Sequence, residues 1–561
     1  MNQPTPAIVA QSAVRRLPRT ALLLLCAAYV LAGFIGRGPW KNADIATLGY
    51  MLELADGRAD WLAPTLLGLP PEFDALLPYW LGAWAVQLAP AGLDAALAAR
   101  LPFIALLVAT LLATWYAVYY LARTPGAQPV PFAFGGEAHP TDYARALADA
   151  GLLALVACFG LAQLSHETTP SLAQLGFTAL AFHGLAALPY RSAVPLATLA
   201  AGLIGLALSG APAMGTLFAL GGALTLLLDP PSDATGLTPR RAAAAVLAVA
   251  AVAALAAVAT DAWHWRLASI SGPPREWQSL ARLLVWFTWP AWPLALYTAW
   301  RWRGQLRRRH LALPLWFALV ALGTALLSPS PDRALLLGLP ALATLAALAL
   351  PTFKRSVSAL IDWFTLLFFS FCALVIWVIW ISLQTGVPAK PAANVARLAP
   401  GFVPEFALLP FLLALAATLA WLWLVRWRTS RHPEALWKSL VLPAGGATLG
   451  WLLVMTLWLP VLDYARSYRP VVQRLGQLMT PPGCVEVLGL SRAQLAALRA
   501  HAGRELHAPS RTPRCPWLVV TPDAQPAVAA VLGADTWLPV ATVRRPTDAS
   551  DNLVLYRRAA R

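Results

Sequence analysis

Charge is scarce in this chain, and acid is scarcer than base: 26 Asp and Glu stand against 42 Lys and Arg in 561 residues, and charged residues make up only 12%. So few charged groups cannot clothe a water-soluble globule of this length when 59% of its residues are hydrophobic and the mean hydropathy is +0.61. Lipid is the solvent this composition requires. The sequence has no Gly-rich phosphate loop ending in Gly-Lys-Ser/Thr, no His-Glu-x-x-His and no cysteine pair at zinc spacing. The apolar runs are nearly free of ionisable side chains, which argues against a proton-coupled transporter. A net charge of +16 suggests a nucleic-acid partner, but the basic residues fall in short clusters between apolar runs, which is a topology signal instead.

Apolar runs of about 18 to 25 residues recur from Ala21 to Pro460, each long enough to cross a hydrocarbon core of about 30 Å, and lipid leaves an unclosed backbone only the helix. The spans predicted are 21–36, 101–121, 147–163, 172–188, 193–208, 213–228, 242–260, 283–300, 311–327, 334–350, 359–382, 406–425 and 440–459, about thirteen in all. The first follows Arg15, Arg16 and Arg19 without a small-residue cleavage site and reads as an uncleaved span. The short apolar segment 76–88 carries Tyr79, Trp80 and Trp84 and reads as an interfacial helix. With it lying flat, the inward turns hold Arg123; Arg191; Arg240 and Arg241; Arg301, Arg303 and Arg307 to Arg309; Lys354 and Arg355; and Arg426, Arg428, Arg431 and Lys438. If that helix spanned, every one of these clusters would face outward, against the positive-inside rule.

The expected architecture is therefore an all-α polytopic membrane domain over residues 1–460, with interfacial helices in a first outer loop at 37–100, followed by a small α/β domain at 461–561. Strands are expected at 484–490, 517–520, 537–543 and 552–556, with helices at 491–502, capped by Ser491, and near 524–532. The Pro- and Gly-containing segment 123–136 reads as a partly flexible inward loop. Cys26, Cys158 and Cys372 lie in apolar runs, whereas Cys484 and Cys515 lie in the tail, where an outward location would permit a disulfide.

The first outer loop contains Pro39-Trp40-Lys41-Asn42-Ala43-Asp44, then Ala59-Asp60-Trp61, then Gly68-Leu69-Pro70-Pro71-Glu72-Phe73-Asp74 leading into Pro78-Tyr79-Trp80. Its order and spacing resemble the membrane glycosyltransferases of the lipid A aminoarabinose transferase and protein mannosyltransferase group, which have the GT-C fold. The resemblance extends along most of the chain. It implies about thirteen spans and a periplasmic tail in a bacterial inner membrane, with the amino terminus cytoplasmic. It also implies a polyprenyl-phosphate sugar as donor and a lipid A-like glycolipid or a protein as acceptor, with no cofactor required.

Residue by residue, the family's first Asp-Glu motif falls on Asp44 and Ile45, which makes Asp44 the candidate base for the acceptor's proton. The family's Glu-Lys pair falls on Phe73 and Asp74, so Glu72 and Asp74 stand in for the acid and the lysine is missing. Lys41 or arginines of other loops must then hold the donor phosphate; Arg266, Arg275 and Arg333 are the candidates, with Tyr79 from the closing motif. In the turn Ser165-His166-Glu167-Thr168-Thr169-Pro170, adjacent His and Glu make a poor metal site, and the resemblance makes Glu167 a second acid. The plain alternatives are solvated loop acids and arginines that touch lipid headgroups. Two other functions remain open: a non-catalytic relative in envelope assembly, and a lipid or oligosaccharide transporter.

Overall fold

The computed structural model describes residues 5–229, 237–263, 274–430, 435–533 and 536–559. Among these, seven helices are long and apolar enough to cross a bilayer: Ala95–Ala122, Pro239–Ala259, Arg309–Leu327, Pro331–Thr352, Arg355–Thr385, Leu408–Thr429 and Lys438–Leu457. Arg19–Phe34, Ala193–Leu208 and Pro212–Leu228 are shorter apolar helices. The core sits on Pro331–Thr352, which is almost wholly buried, whereas Arg355–Thr385 and Leu408–Thr429 turn Leu367, Phe371, Leu374, Leu412 and Leu419 outward. Apolar side chains facing out over this length need lipid around them. The chain is a multi-pass membrane protein.

Two predicted spans are each broken in the structure. Residues 147–163 divide at Cys158 into Pro140–Ala157 and Phe159–Leu164, and residues 283–300 divide at Trp289-Pro290 into Pro274–Phe287 and Ala291–Arg301. The breaks support each other. Pro290 has no N–H to offer, and the Trp289 carbonyl accepts the Phe159 N–H at 3.1 Å, so backbone groups freed by one interruption are satisfied by the other. Hydropathy alone cannot reveal such a pairing.

The first outer loop contains two helices, Ala43–Ala55 and Leu77–Leu88. The second has 12 residues, a length of about 18 Å, so it is too short to cross a core of about 30 Å. It packs against Ala43–Ala55 and Ala95–Ala122. Segment 123–136, expected to be partly flexible, is tied to the amino-terminal stretch: Val130 N–H donates to Ala7 O, Gln11 N–H to Gly136 O, and Ala138 N–H to Val9 O, at 2.9–3.0 Å. Between the predicted spans 359–382 and 406–425 lies the helix Ala389–Leu398, and the tail opens with Leu459–Arg466 and Arg469–Leu478.

Beyond them lies a five-stranded sheet. Its strands are β1 (Val485–Leu488), β2 (Leu506–His507), β3 (Trp517–Val520), β4 (Trp537–Arg545) and β5 (Asp548–Arg558), in the order β2-β1-β3-β5-β4. β1 runs parallel to β2 and β3, while β5 is antiparallel to both β3 and β4. The crossover helix Arg492–Ala502 starts with a capping box, Ser491 accepting from Gln494 N–H while the Gln494 side chain accepts from Ser491 N–H. The helix expected near 524–532 is present as contiguous 3-10, α and π segments, Pro522–Ala524, Gln525–Ala527 and Val528–Gly533, and β2 is too short to have been predicted. Cys484 and Cys515 are disulfide-bonded, joining the lead-in to β1 with that to β3.

Gly49 decides how this layer sits on the loop. A Cβ there would stand 2.5 Å from the Ala496 Cβ and 3.1 Å from its Cα, so only glycine lets Ala43–Ala55 lie this close to Arg492–Ala502. At the rim Arg499 pairs with Glu53 at 3.0 Å and with Asp56. The tail therefore roofs the first outer loop.

Candidate active site

Asp44 stands in the first turn of Ala43–Ala55, buried to 1% exposure. One carboxylate oxygen accepts from Arg37 Nη2 at 2.9 Å and Trp40 N–H at 3.1 Å; the other accepts from Thr168 N–H at 2.9 Å and Thr168 Oγ1 at 2.5 Å. Arg37 is itself buried, donates to the His166 carbonyl at 2.7 Å and lies 4.5 Å from the Trp40 ring centre. Arg100 donates to the carbonyls of Phe34 and Arg37 at 3.2 and 2.5 Å, closing the loop onto the start of Ala95–Ala122. Burial pushes the Asp44 carboxyl upward, but Arg37, Arg100 and the donors from Thr168 and Trp40 outweigh it and hold it below the ordinary value. Asp44 is thus an ionised anchor that joins the loop to the turn before Pro170–Ala187.

Glu167, in that turn, has the opposite balance. It is half-buried and accepts from Gln163 Nε2 at 3.0 Å. Burial and the neighbouring Asp44 charge raise its pKa, against the pull of Gln163, Arg37 and Arg466. Two acids in one neighbourhood therefore have proton affinities pushed apart, which is how an acid–base pair divides its roles. The adjacent His166 is fully buried against Tyr29, Phe34 and Trp451, with Nε2 2.9 Å from the Tyr29 carbonyl; burial pulls its pKa down to about 4.

On another face of Ala43–Ala55 lies a cavity of about 340 Å³, lined in part by Asn42, Thr47, Tyr50, Glu72, Tyr79 and Arg492. Tyr50 and Tyr79 pack with tilted rings whose centres are 5.5 Å apart, and the Tyr50 hydroxyl donates to the Pro70 carbonyl at 3.0 Å, which also accepts from Arg492 Nε at 2.7 Å. Burial raises the Tyr79 pKa, Tyr50, Glu72 and Asp74 add to that, and Arg333 opposes it, so these side chains share one electrostatic neighbourhood. Arg333 lies over the Phe73 ring at 4.3 Å, and its buried Nη1 has no hydrogen-bond partner among the described residues. Phe73 lines that cavity, so the Arg333 guanidinium stands behind its wall with hydrogen-bonding capacity left over. The Pro331–Ala349 helix that carries Arg333 packs against both Phe159–Leu164 and Pro170–Ala187, the helices on either side of Glu167.

The structure thus brings Asp44 and Glu167 together in one cluster, and Glu72, Asp74, Tyr79 and Arg333 in a second, with Ala43–Ala55 between them. Lys41, expected at the phosphate, points to the tail and pairs with Asp548 at 2.6 Å and Asp551 at 3.8 Å. Arg266 and the side chain of Arg275 lie outside the described residues. Sequence reasoning missed Arg37, Arg100 and Thr168, which complete the Asp44 anchor, and Arg492. The signal for the first two was available: arginines at span ends that the sequence reading places outside, where positive charge is disfavoured unless used.

Among the described residues, seven helices long and apolar enough to cross a bilayer, two helices in the segment 37–100 and an α/β layer after the last apolar helix define a polytopic membrane protein of the GT-C architecture. No protein-family model and no curated protein sequence matches the chain. Among solved structures it is similar to the crystal structure of ArnT from Cupriavidus metallidurans bound to undecaprenyl phosphate, with TM-score 0.64, 15% identity, and coverage of 97% of this chain and 98% of that one. The same protein in its apo state matches with TM-score 0.60 and 15% identity over 96% and 98%. The fold is that of the lipid A aminoarabinose transferase, as the loop motifs implied.

Proposed function

We propose that this chain is an integral membrane glycosyltransferase that moves a sugar from a polyprenyl-phosphate donor to an envelope glycolipid or protein on the periplasmic side of the bacterial inner membrane. The amino terminus lies in the cytoplasm in this reading, about thirteen segments cross or enter the bilayer, and residues 461–561 form the periplasmic domain. The observation that carries it is the unpartnered Nη1 of Arg333 beside a cavity lined by Tyr79 and Glu72, in a fold whose solved counterpart holds undecaprenyl phosphate.

In the proposed reaction an acceptor oxygen attacks the anomeric carbon, the bond from that carbon to the phosphate oxygen breaks, and the polyprenyl phosphate leaves with added negative charge. Arg333, aided by Arg266 and Arg275, stabilises that charge, taking the place of the lysine missing at Asp74. Glu167 takes the acceptor's proton, because its raised affinity for protons suits a base better than the fully bonded Asp44. Asp44 holds the Thr168 turn, and through it Glu167, in position. Glu72 and Asp74 bind the sugar or acceptor hydroxyls, and Tyr79 packs on the donor. The reaction so written needs no metal.

The test is binding of undecaprenyl phosphate to the purified protein, with and without Arg333→Gln. The proposal expects at least about tenfold weaker binding in the variant, as befits a lost charge-assisted contact. Equal binding by the two would refute the phosphate role. The non-catalytic alternative predicts binding without turnover.

A further inference from the structure

At the opposite end of the membrane domain is a second cavity, of about 580 Å³, which the proposed reaction does not use. Tyr119, Tyr120, Arg123, Gln128, Tyr190 and Arg191 contribute to its walls. The helices Ala95–Ala122 and Pro170–Ala187 both begin at the Asp44 cluster, through Arg100 and Thr168, and both end here. At 1.5 Å per residue Arg123 lies about 35 Å along the helix from Arg100, the distance between the two faces of a bilayer.

The cavity is built for an anion. The Arg123 guanidinium lies between the rings of Tyr119 and Tyr190, at 5.6 and 5.1 Å from their centres, which holds its plane without neutralising its charge. Arg191 is exposed at the same wall, and neither arginine has an ion-pair partner among the described residues. Among the described residues, no carboxylate lines the space. Gln128 Nε2 is committed to the Ala122 carbonyl at 2.6 Å, which fixes the amide and leaves its buried Oε1 with no donor among the described residues. Two cations flanked by tyrosine faces together specify a compact ligand carrying a negative group.

We infer that this cavity, on the face opposite the Asp44 cluster, binds a phosphate ester, the phosphate meeting Arg123 and Arg191. Such a group is either the headgroup of a phospholipid or a water-soluble phosphate ester. The inference stands independently of sugar transfer. Two probes separate the sources: phosphatidylglycerol retained from mixed phosphatidylglycerol and phosphatidylcholine bilayers, read by native mass spectrometry, and glycerol 3-phosphate binding to delipidated full-length protein, read by calorimetry. The variants are R123Q/R191Q and R191Q alone, whose exposed site makes misfolding a poor explanation for its effect; thermal melting of each checks folding. Binding of either probe to the parent protein, weakened about tenfold or more in R123Q/R191Q and less in R191Q, is the expected result. Retained lipid identifies the headgroup, and bound glycerol 3-phosphate the soluble ester. Binding of neither probe, or binding that folded variants leave unchanged, would overturn the assignment.

Discussion

Replacing Asp44 by Asn removes one charge while keeping the shape, and the surrounding hydrogen bonds set the cost. The native carboxylate accepts four of them, two per oxygen. An amide keeps one acceptor oxygen and turns an NH2 toward two donors, either Arg37 and Trp40 or the two of Thr168. Arg37, whose side chain is 2% exposed, then stays buried without a counter-charge. Breaking a buried pair in this way costs about 3–5 kcal/mol, a large share of a stability margin of about 5–15 kcal/mol. Thermal or denaturant unfolding of the detergent-purified protein, followed by tryptophan fluorescence, measures the loss. A second variant isolates the mechanism: with Arg37→Met added, no buried cation is stranded, so the double variant should lose clearly less than the sum of the two single losses. Additive losses would refute the anchor, as would a single Asp44→Asn cost below about 1 kcal/mol.

Other expectations rest on the same geometry. Because the Asp44 charge helps to raise the Glu167 pKa, sugar transfer should fall on the acid side of its pH profile as Glu167 takes up its proton, and in folded Asp44→Asn that limb should move to lower pH; an unmoved limb would remove Glu167 as the base. Asp44 has its carboxyl lowered on folding, so its share of stability is present above an unfolded value of about 3.9 and is lost as pH falls through the lower folded value. A melting series across that range checks it, with Asp44→Asn expected to flatten the slope. Substituting both Cys484 and Cys515 by Ser opens a cross-link between residues 31 apart and should destabilise the tail by about 3 kcal/mol, read as faster limited proteolysis beyond residue 461. Gly49→Val should lift the tail off the loop, since its Cβ would stand 2.5 Å from that of Ala496, and expose the same segment to protease while the membrane helices stay folded.

Much of this fold is legible in order and hydropathy because lipid imposes the same demand on every span. The short helix at Leu77–Leu88, the helix capped by Ser491 and the strand at Trp517–Val520 all announce themselves through local pattern. The interruptions at Cys158 and Pro290 do not, since the carbonyl that satisfies Phe159 N–H belongs to Trp289, well over a hundred positions away. The site shows the same division. Asp44 is visible from its place in the loop motif, but that it is an anchor depends on Thr168 at a separation of 124. Lys41 looks like a free loop cation until the fold supplies Asp548 at a separation of 507. Arg333 is a candidate from the sequence, as a cation at the start of a span, but its place over the Phe73 ring depends on the fold.

The measurement that bears most directly on that proposal is release of undecaprenyl phosphate from an undecaprenyl-phosphate-linked sugar by the protein in proteoliposomes containing lipid A. The account predicts sugar appearing on the acceptor in step with free undecaprenyl phosphate, reduced about 100-fold or more in Arg333→Gln and in Glu167→Gln. Folded protein that binds the donor yet releases no undecaprenyl phosphate with any envelope lipid or protein acceptor would contradict it.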